Sequence, residues 1–241
     1  MPRTRGKDTS TRDALLILTL VLAAIGLIIY MATSSKPDGT GSTQPTQRSE
    51  SSVQQHNPAA ELARREPDDP LALGDVDAPV TMVMYSDYRC PFCAKFSRDT
   101  EPHLVERYVD RGVLRIEWRD FPIFGDQSMA AARAGRAAAE QGKFWEFNRT
   151  LYEDAPPTGH PDLTPDKLRS YAREAGLPDM KTFNARMNDH SFDDDIRADL
   201  SEGSSIGVTS TPAFIINGQP VLGAQPLDAF TTMIDRAAEG A

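Results

Sequence analysis

The chain has 241 residues, 39% of them hydrophobic, and a net charge of −9 at pH 7. That is enough apolar content to bury a core. The acidic balance, with basic residues clustered only in the N-terminal flank, excludes nucleic acid and anionic lipid headgroups as partners of a folded domain.

Residues 14–31 are apolar apart from Thr19; as a helix they span about 27 Å, close to the thickness of a bilayer's hydrocarbon core. Arg3, Arg5, Lys7 and Arg12 precede this segment and Lys36 alone follows it closely. The positive-inside rule therefore leaves residues 1–13 in the cytoplasm and the rest of the chain outside. A cleaved signal peptide is the competing reading, but Tyr30-Met31-Ala32 is a poor small-x-small site, so the segment reads as a retained, single-pass signal-anchor. Residues 32–65 begin rich in Ser, Thr, Gln, Gly and Pro, a composition too polar to offset the entropy of ordering, and read as a flexible linker.

Residues 71–73 suggest a short edge strand, and residues 80–85 are a strand-forming run that ends at Ser86-Asp87. The only two cysteines follow as Cys90-Pro91-Phe92-Cys93. Pro91 suits the first position of a helix, and Phe92, Phe96 and Leu104 continue an apolar stripe. Cys90 at a helix N-terminus faces unpaired N–H groups and the positive end of the dipole, which favours thiolate, the nucleophilic form. Cys93, one turn on, can attack a mixed disulfide formed at Cys90. Three other readings of the pair stay open: a structural disulfide, half of a zinc site, or inert thiols. A bridge over so short a loop stabilises by only about 2 kcal/mol. A zinc site needs two more ligands, and His56, His103, His160 and His190 show no paired spacing.

The helix is expected to bend at Pro102 and end near Gly112, before a second strand at residues 113–118. Residues 126–205 then carry helical periods only: an Ala-rich stretch at 128–141, Phe144, Trp145, Phe147 and Leu151, a helix capped by Thr164, and Met180, Phe183 and Met187. In the last of these helices Phe192, Ile196 and Leu200 form the apolar stripe, so Asp193, Asp194, Asp195, Asp199 and Glu202 are expected on a solvated face rather than around calcium. Residues 213–216, Asn217-Gly218 and residues 219–222 spell a hairpin. A final helix starts at Pro226. Strand-rich ends around a helical run give an α/β domain, residues 66–125 and 206–241, with a helical insertion at 126–205.

The Cys90-to-Cys93 motif after a strand, together with Gly207-Val208-Thr209-Ser210-Thr211-Pro212-Ala213-Phe214 far downstream, resembles the DsbA-type thiol-disulfide oxidoreductases of the bacterial cell envelope. Phe121-Pro122 and Gly142-Lys143-Phe144-Trp145 add to the likeness, which covers roughly residues 70–240. The resemblance implies a thioredoxin fold, an exposed nucleophile at Cys90, a buried resolving thiol at Cys93, and a cis proline at Pro212, with Thr211 presenting its backbone to substrate. It implies exported proteins with reduced cysteines as clients, a membrane reoxidase as partner, and no cofactor beyond the redox-active Cys90–Cys93 disulfide. Pro91-Phe92 departs from the Pro-His of the best-known members, so the dipeptide offers no imidazolium. The strand before the motif also lacks their acidic residue, which leaves Asp87 and Glu117 as candidate proton relays; a turn role for Asp87 and an ion pair with Arg115 or Arg119 for Glu117 are the plainer readings. Phe92, Phe96, Tyr88 and Phe124 are candidates for an apolar rim around Cys90 or for the core, with Phe96 read as core and Phe92, locked between the cysteines, as rim. An extracytoplasmic reductase or isomerase, or a non-catalytic membrane-tethered binding module, would use the same residues.

Overall fold

The computed structural model describes residues 61–240; the anchor and most of the linker lie outside these residues. Among the described residues no helix is long and apolar enough to cross a membrane. The strands are β1 (Ala72–Leu73), β2 (Val80–Ser86), β3 (Leu114–Asp120), β4 (Ala213–Ile216) and β5 (Gln219–Leu222), ordered β1-β3-β2-β4-β5 in one sheet. β2 and β3 run parallel, and the other three pairings are antiparallel.

All seven residues of β2 are buried, because both faces of the sheet are covered, and this is why its sequence is a continuous apolar run rather than an alternating one. Val80, Met82 and Met84 point into a large core with Ile116, Trp118, Phe214 and Ile216. Val83 and Tyr85 point the other way, into a smaller core with Phe121, Ala213 and Ile215. At the sheet's two borders, β1 has only two residues, and β5 carries Pro220 with three of its four residues exposed.

The crossover from β2 to β3 consists of α1 (Pro91–Asp99), α2 (Glu101–Leu104) and a π-helical turn at Val105–Val109. The expected bend at Pro102 falls earlier, at Thr100, whose φ of −120° leaves the helix. Pro102 sits in the first turn of α2 instead, where its missing N–H costs nothing. At the β4–β5 turn Asn217 and Gly218 both have positive φ, 42° and 83°, as a two-residue type I′ hairpin requires.

Between β3 and β4 lie α3 (Asp126–Ala139), α4 (Phe144–Glu153), α5 (Pro165–Glu174), α6 (Met180–Asn188) and α7 (Asp193–Ser205); α8 (Leu227–Glu239) closes the chain. The helical run is not a self-contained body. Phe144, Phe147, Tyr152 and Phe183 of α4 and α6 belong to the same core as β2 and β3, and α7 returns to the second face of the sheet, where Gly203 lies against Tyr85 and Phe121. The acidic face of α7 also differs from expectation. Asp194 and Asp195 are exposed, but Asp193 and Asp199 are buried at 7% and 1% of their surface, because arginines from α3 reach them: Arg133 pairs with Asp193, and Arg136 with Asp199 at 2.7 Å.

Candidate functional site

β2 ends at Ser86, and the chain turns through Asp87-Tyr88-Arg89 into α1, with Cys90 as the extended residue just before the first helical turn and Pro91 inside it. The Asp87 carboxylate makes that turn: it accepts from the Arg89 N–H at 2.8 Å and from the Ile123 N–H at 2.7 Å, tying the β3–α3 loop to the motif. From the other side comes the 211–212 loop, whose Thr211–Pro212 bond is cis.

Both cysteines are unbridged in the structure, and both are buried. For Cys90 this corrects the expectation of an exposed thiol: it keeps 2% of its surface, because the Thr211 carbonyl lies across it and accepts its S–H at 3.2 Å. The cover is one residue thick, since Phe92 beside it is 60% exposed and Ser210 is exposed.

The two sulfurs are driven apart in acidity. The Cys93 thiol hydrogen-bonds to Cys90 and holds its pKa down at about 6, against the opposing effect of burial; the Thr211 hydroxyl and the Cys93 and Phe92 N–H groups add to the lowering. Burial pushes Cys93 well above the ordinary thiol value, and the neighbouring Cys90 pushes in the same direction. A stabilised thiolate beside a thiol that keeps its proton is what dithiol exchange needs.

The two acidic candidates are placed differently. Asp87 reaches the site through its main chain: its N–H approaches Cys93 Sγ, its carbonyl accepts from Cys90 N at 3.0 Å, and its carboxylate is engaged by the loop amides. Glu117 lies opposite Val83 in the β2–β3 register, hence on the smaller-core face, away from the cysteines. Arg119 at 2.9 Å, Arg115 at 3.1 Å and the Arg64 and Arg65 amides hold its carboxylate. The turn and ion-pair readings of these residues are the ones the structure shows. Of the candidate rim aromatics, Tyr88 and Phe96 are core residues at 1% exposure, and Phe124 stacks on His160 at 4.2 Å. Phe92 alone stands out.

Several residues at the site carried no sequence signal. Ile123 and Leu222 are, with Phe92, the exposed large hydrophobic residues among those described. Leu222 lies opposite Ala213, and the next residue, Gly223, donates to the Pro212 carbonyl at 2.8 Å, so all three apolar side chains stand on segments bonded to the site. Ser86 and Tyr152 meet beneath it at 3.0 Å although 66 residues apart. Among the described residues no group of three or more metal-ligating side chains gathers.

A family profile described as Thioredoxin matches residues 66–236. Disulfide bond formation protein D of Bacillus subtilis is 25% identical over 170 residues, 70% of this chain and 77% of that one. Na(+)/H(+) antiporter NhaA 3 of Salinispora tropica is 33% identical over 172 residues, but the chain spans only 25% of that protein's length. Among solved structures, oxidised BdbD from Bacillus subtilis aligns with a TM-score of 0.66 at 25% identity, over 72% of this chain and 94% of that one. Wolbachia pipientis alpha-DsbA1 aligns at 0.66 and 27%, over 76% and 96%. The profile match over most of the chain agrees with the sheet order, the cis proline and the split acidity of the cysteines, and the chain belongs to the thioredoxin superfamily, among its DsbA-like thiol-disulfide oxidoreductases.

Proposed function

We propose that the protein is an extracytoplasmic disulfide donor, tethered to the membrane through residues 14–31, that oxidises cysteine pairs in exported proteins. The observation that carries this reading is the opposed acidity of Cys90 and Cys93 at the opening of α1. A substrate thiolate attacks Cys90 Sγ, the Cys90–Cys93 bond breaks, and Cys93 leaves with the electron pair. A second substrate thiolate then attacks the substrate sulfur of the mixed disulfide and releases Cys90 as thiolate. Two substrate thiols become one disulfide, the Cys90/Cys93 pair takes up two electrons, and Cys93 takes up a proton. A low pKa at Cys90 makes it a good leaving group and stabilises the reduced enzyme, so it drives the exchange toward substrate oxidation. No further cofactor is required; a membrane reoxidase would return the pair to the disulfide.

Pro91 starts the helix, and Phe92 with Ile123 and Leu222 forms an apolar rim on which an unfolded client can rest. Thr211 offers its backbone beside the sulfur, the strand-addition mode by which extended peptides are commonly held. The test is the redox potential of full-length protein equilibrated with glutathione buffers, combined with oxidation of a reduced client by wild type and by Cys90→Ser. A potential well above thioredoxin's, about −270 mV, and loss of client oxidation in Cys90→Ser are expected. A potential near thioredoxin's would support the reductase or isomerase reading, and unchanged client disulfides with Cys90→Ser would leave only a binding module.

A further inference from the structure

Residues 154–164, between α4 and α5, form no helix or strand, and Pro157, Thr158, Gly159 and His160 are exposed. This loop of the insertion is nonetheless bonded to the cysteine motif. His160 lays its ring on Phe124, centroids 4.2 Å apart and 32° from parallel, and its Nδ1 lies 2.8 Å from the Arg89 carbonyl. Arg89 returns the contact with its side chain: Nε donates to the Pro161 carbonyl at 3.0 Å, and the guanidinium also donates to the Phe124 carbonyl. Asp87 adds the third side, since its carboxylate accepts from the N–H groups of Arg89, Ile123 and Phe124. The motif turn, the β3–α3 loop and the insertion loop are therefore each tied to the other two.

One of these contacts falls on the peptide group that joins Arg89 to Cys90. Its N–H donates to the Asp87 carbonyl at 3.0 Å, and its C=O is the acceptor for His160, so the plane is held at both ends. That plane fixes the direction in which Cys90, with a φ of −82°, presents its sulfur to the opening of α1 and to the Thr211 carbonyl at 3.2 Å. A carbonyl only accepts, so Nδ1 of His160 carries a hydrogen. The bond needs a donor at that place and no charge, because the neutral Nδ1–H form and the imidazolium both provide one. A carbonyl oxygen is the negative end of its peptide dipole. A donor on it offsets negative charge on the nucleophile's own peptide, which favours the Cys90 thiolate.

We propose, building on the exchange reading, that His160 is a positioning residue for the nucleophile: its Nδ1–H holds the Arg89–Cys90 peptide and so keeps Cys90 aligned at the helix opening. The helical insertion thus contributes to the reaction centre, through a residue 71 positions from the one it grips. His160 acts through the Arg89 carbonyl, and no bond is made or broken at its ring during the exchange.

Two substitutions in the full-length protein separate the donor from the packing. His160→Phe keeps a ring to lie on Phe124 but has no N–H, whereas His160→Asn loses the ring and places an amide N–H where Nδ1 stands. His160→Phe should raise the alkylation midpoint of Cys90 by about half a pH unit, a fraction of one hydrogen bond. Its equilibrium with glutathione should shift about threefold toward the disulfide, a fall in potential of about 14 mV. His160→Asn should stay close to wild type in both measurements. Equal shifts in the two variants would place the effect in the packing of the loop, and a His160→Phe protein that matches wild type would leave the bond without a part; either result overturns the proposal. Both leave the exchange reading intact, whereas wild-type protein that oxidises no client would remove both.

Discussion

A thiol at the opening of a helix and a thiol one turn inside it differ in what surrounds them, not in chemistry. Alkylation of Cys90 in the reduced protein should titrate with a midpoint of about 6, while Cys93 stays unreactive across the same range. Thr211→Val removes a buried hydroxyl that contributes to lowering the Cys90 pKa. It should move that midpoint up by about one pH unit, the size of one lost hydrogen bond; no movement would show that the hydroxyl plays no part. Because the folded value lies below the unfolded one of 9.0, the thiolate's contribution to the stability of the reduced protein is complete above about 9 and is lost as the pH falls through about 6. The stability gap between reduced wild type and Cys90→Ser should narrow over that interval. Cys90 and Cys93 were legible because their chemistry is local: a two-residue gap, a proline and a helix start. The burial of Cys90 was not, since the residue that covers it, Thr211, arrives from 121 positions away. Tyr152 was illegible for the same reason.

The helices were readable as elements from their apolar periods, but their partners were not. Gly135 shows the difference. In the middle of α3 a glycine should be improved by alanine by about 1 kcal/mol on propensity alone. Here an added Cβ would collide with the Tyr88 hydroxyl, whose ring is buried between Trp118 and Tyr152. Gly135→Ala should therefore destabilise by about 1–3 kcal/mol, the usual cost of overpacking, measured by urea unfolding. Gly203→Ala should do the same where α7 meets the sheet, since its Cβ would lie 2.8 Å from the Phe121 ring. A gain in stability from either would mean that the neighbouring ring yields. The acidic run of α7 misled because periodicity distinguishes apolar from polar faces only. Asp193 and Asp199 are polar residues facing arginines of a neighbouring helix, and no pattern within α7 announces Arg133 or Arg136.

Those arginines bind the whole domain together. Arg136 joins Asp120 at the end of β3 to Asp199 of α7, 2.7 Å to each, and Arg64 grips Asp199 from the other side at 2.7 Å. Four parts of the chain, the segment at Arg64, β3, α3 and α7, thus meet at two carboxylates, each 1% exposed. Removing the shared cation should cost about 3–5 kcal/mol at pH 7, because the buried charges are left partly uncompensated. Burial already raises the Asp120 pKa, and without Arg136 it rises further, so protonation relieves the deficit as the pH falls. Arg136→Met should be closer to wild type at pH 5 than at pH 7 in urea melts; a deficit independent of pH would place the cost in packing instead. At this scale the sequence showed strands at both ends and helices between. It did not show that helices and sheet share one core, since that follows from Trp118 and Tyr88 meeting Phe144, Phe147 and Tyr152 across long separations.

The two borders of the sheet are both poor edges for another chain to join. β1 is two residues long, and β5 carries a proline that has no amide hydrogen to give. Another chain meeting either edge therefore finds no continuous row of main-chain groups to pair with. Neither border is a ready template for a sixth strand, which guards the sheet against edge-to-edge association.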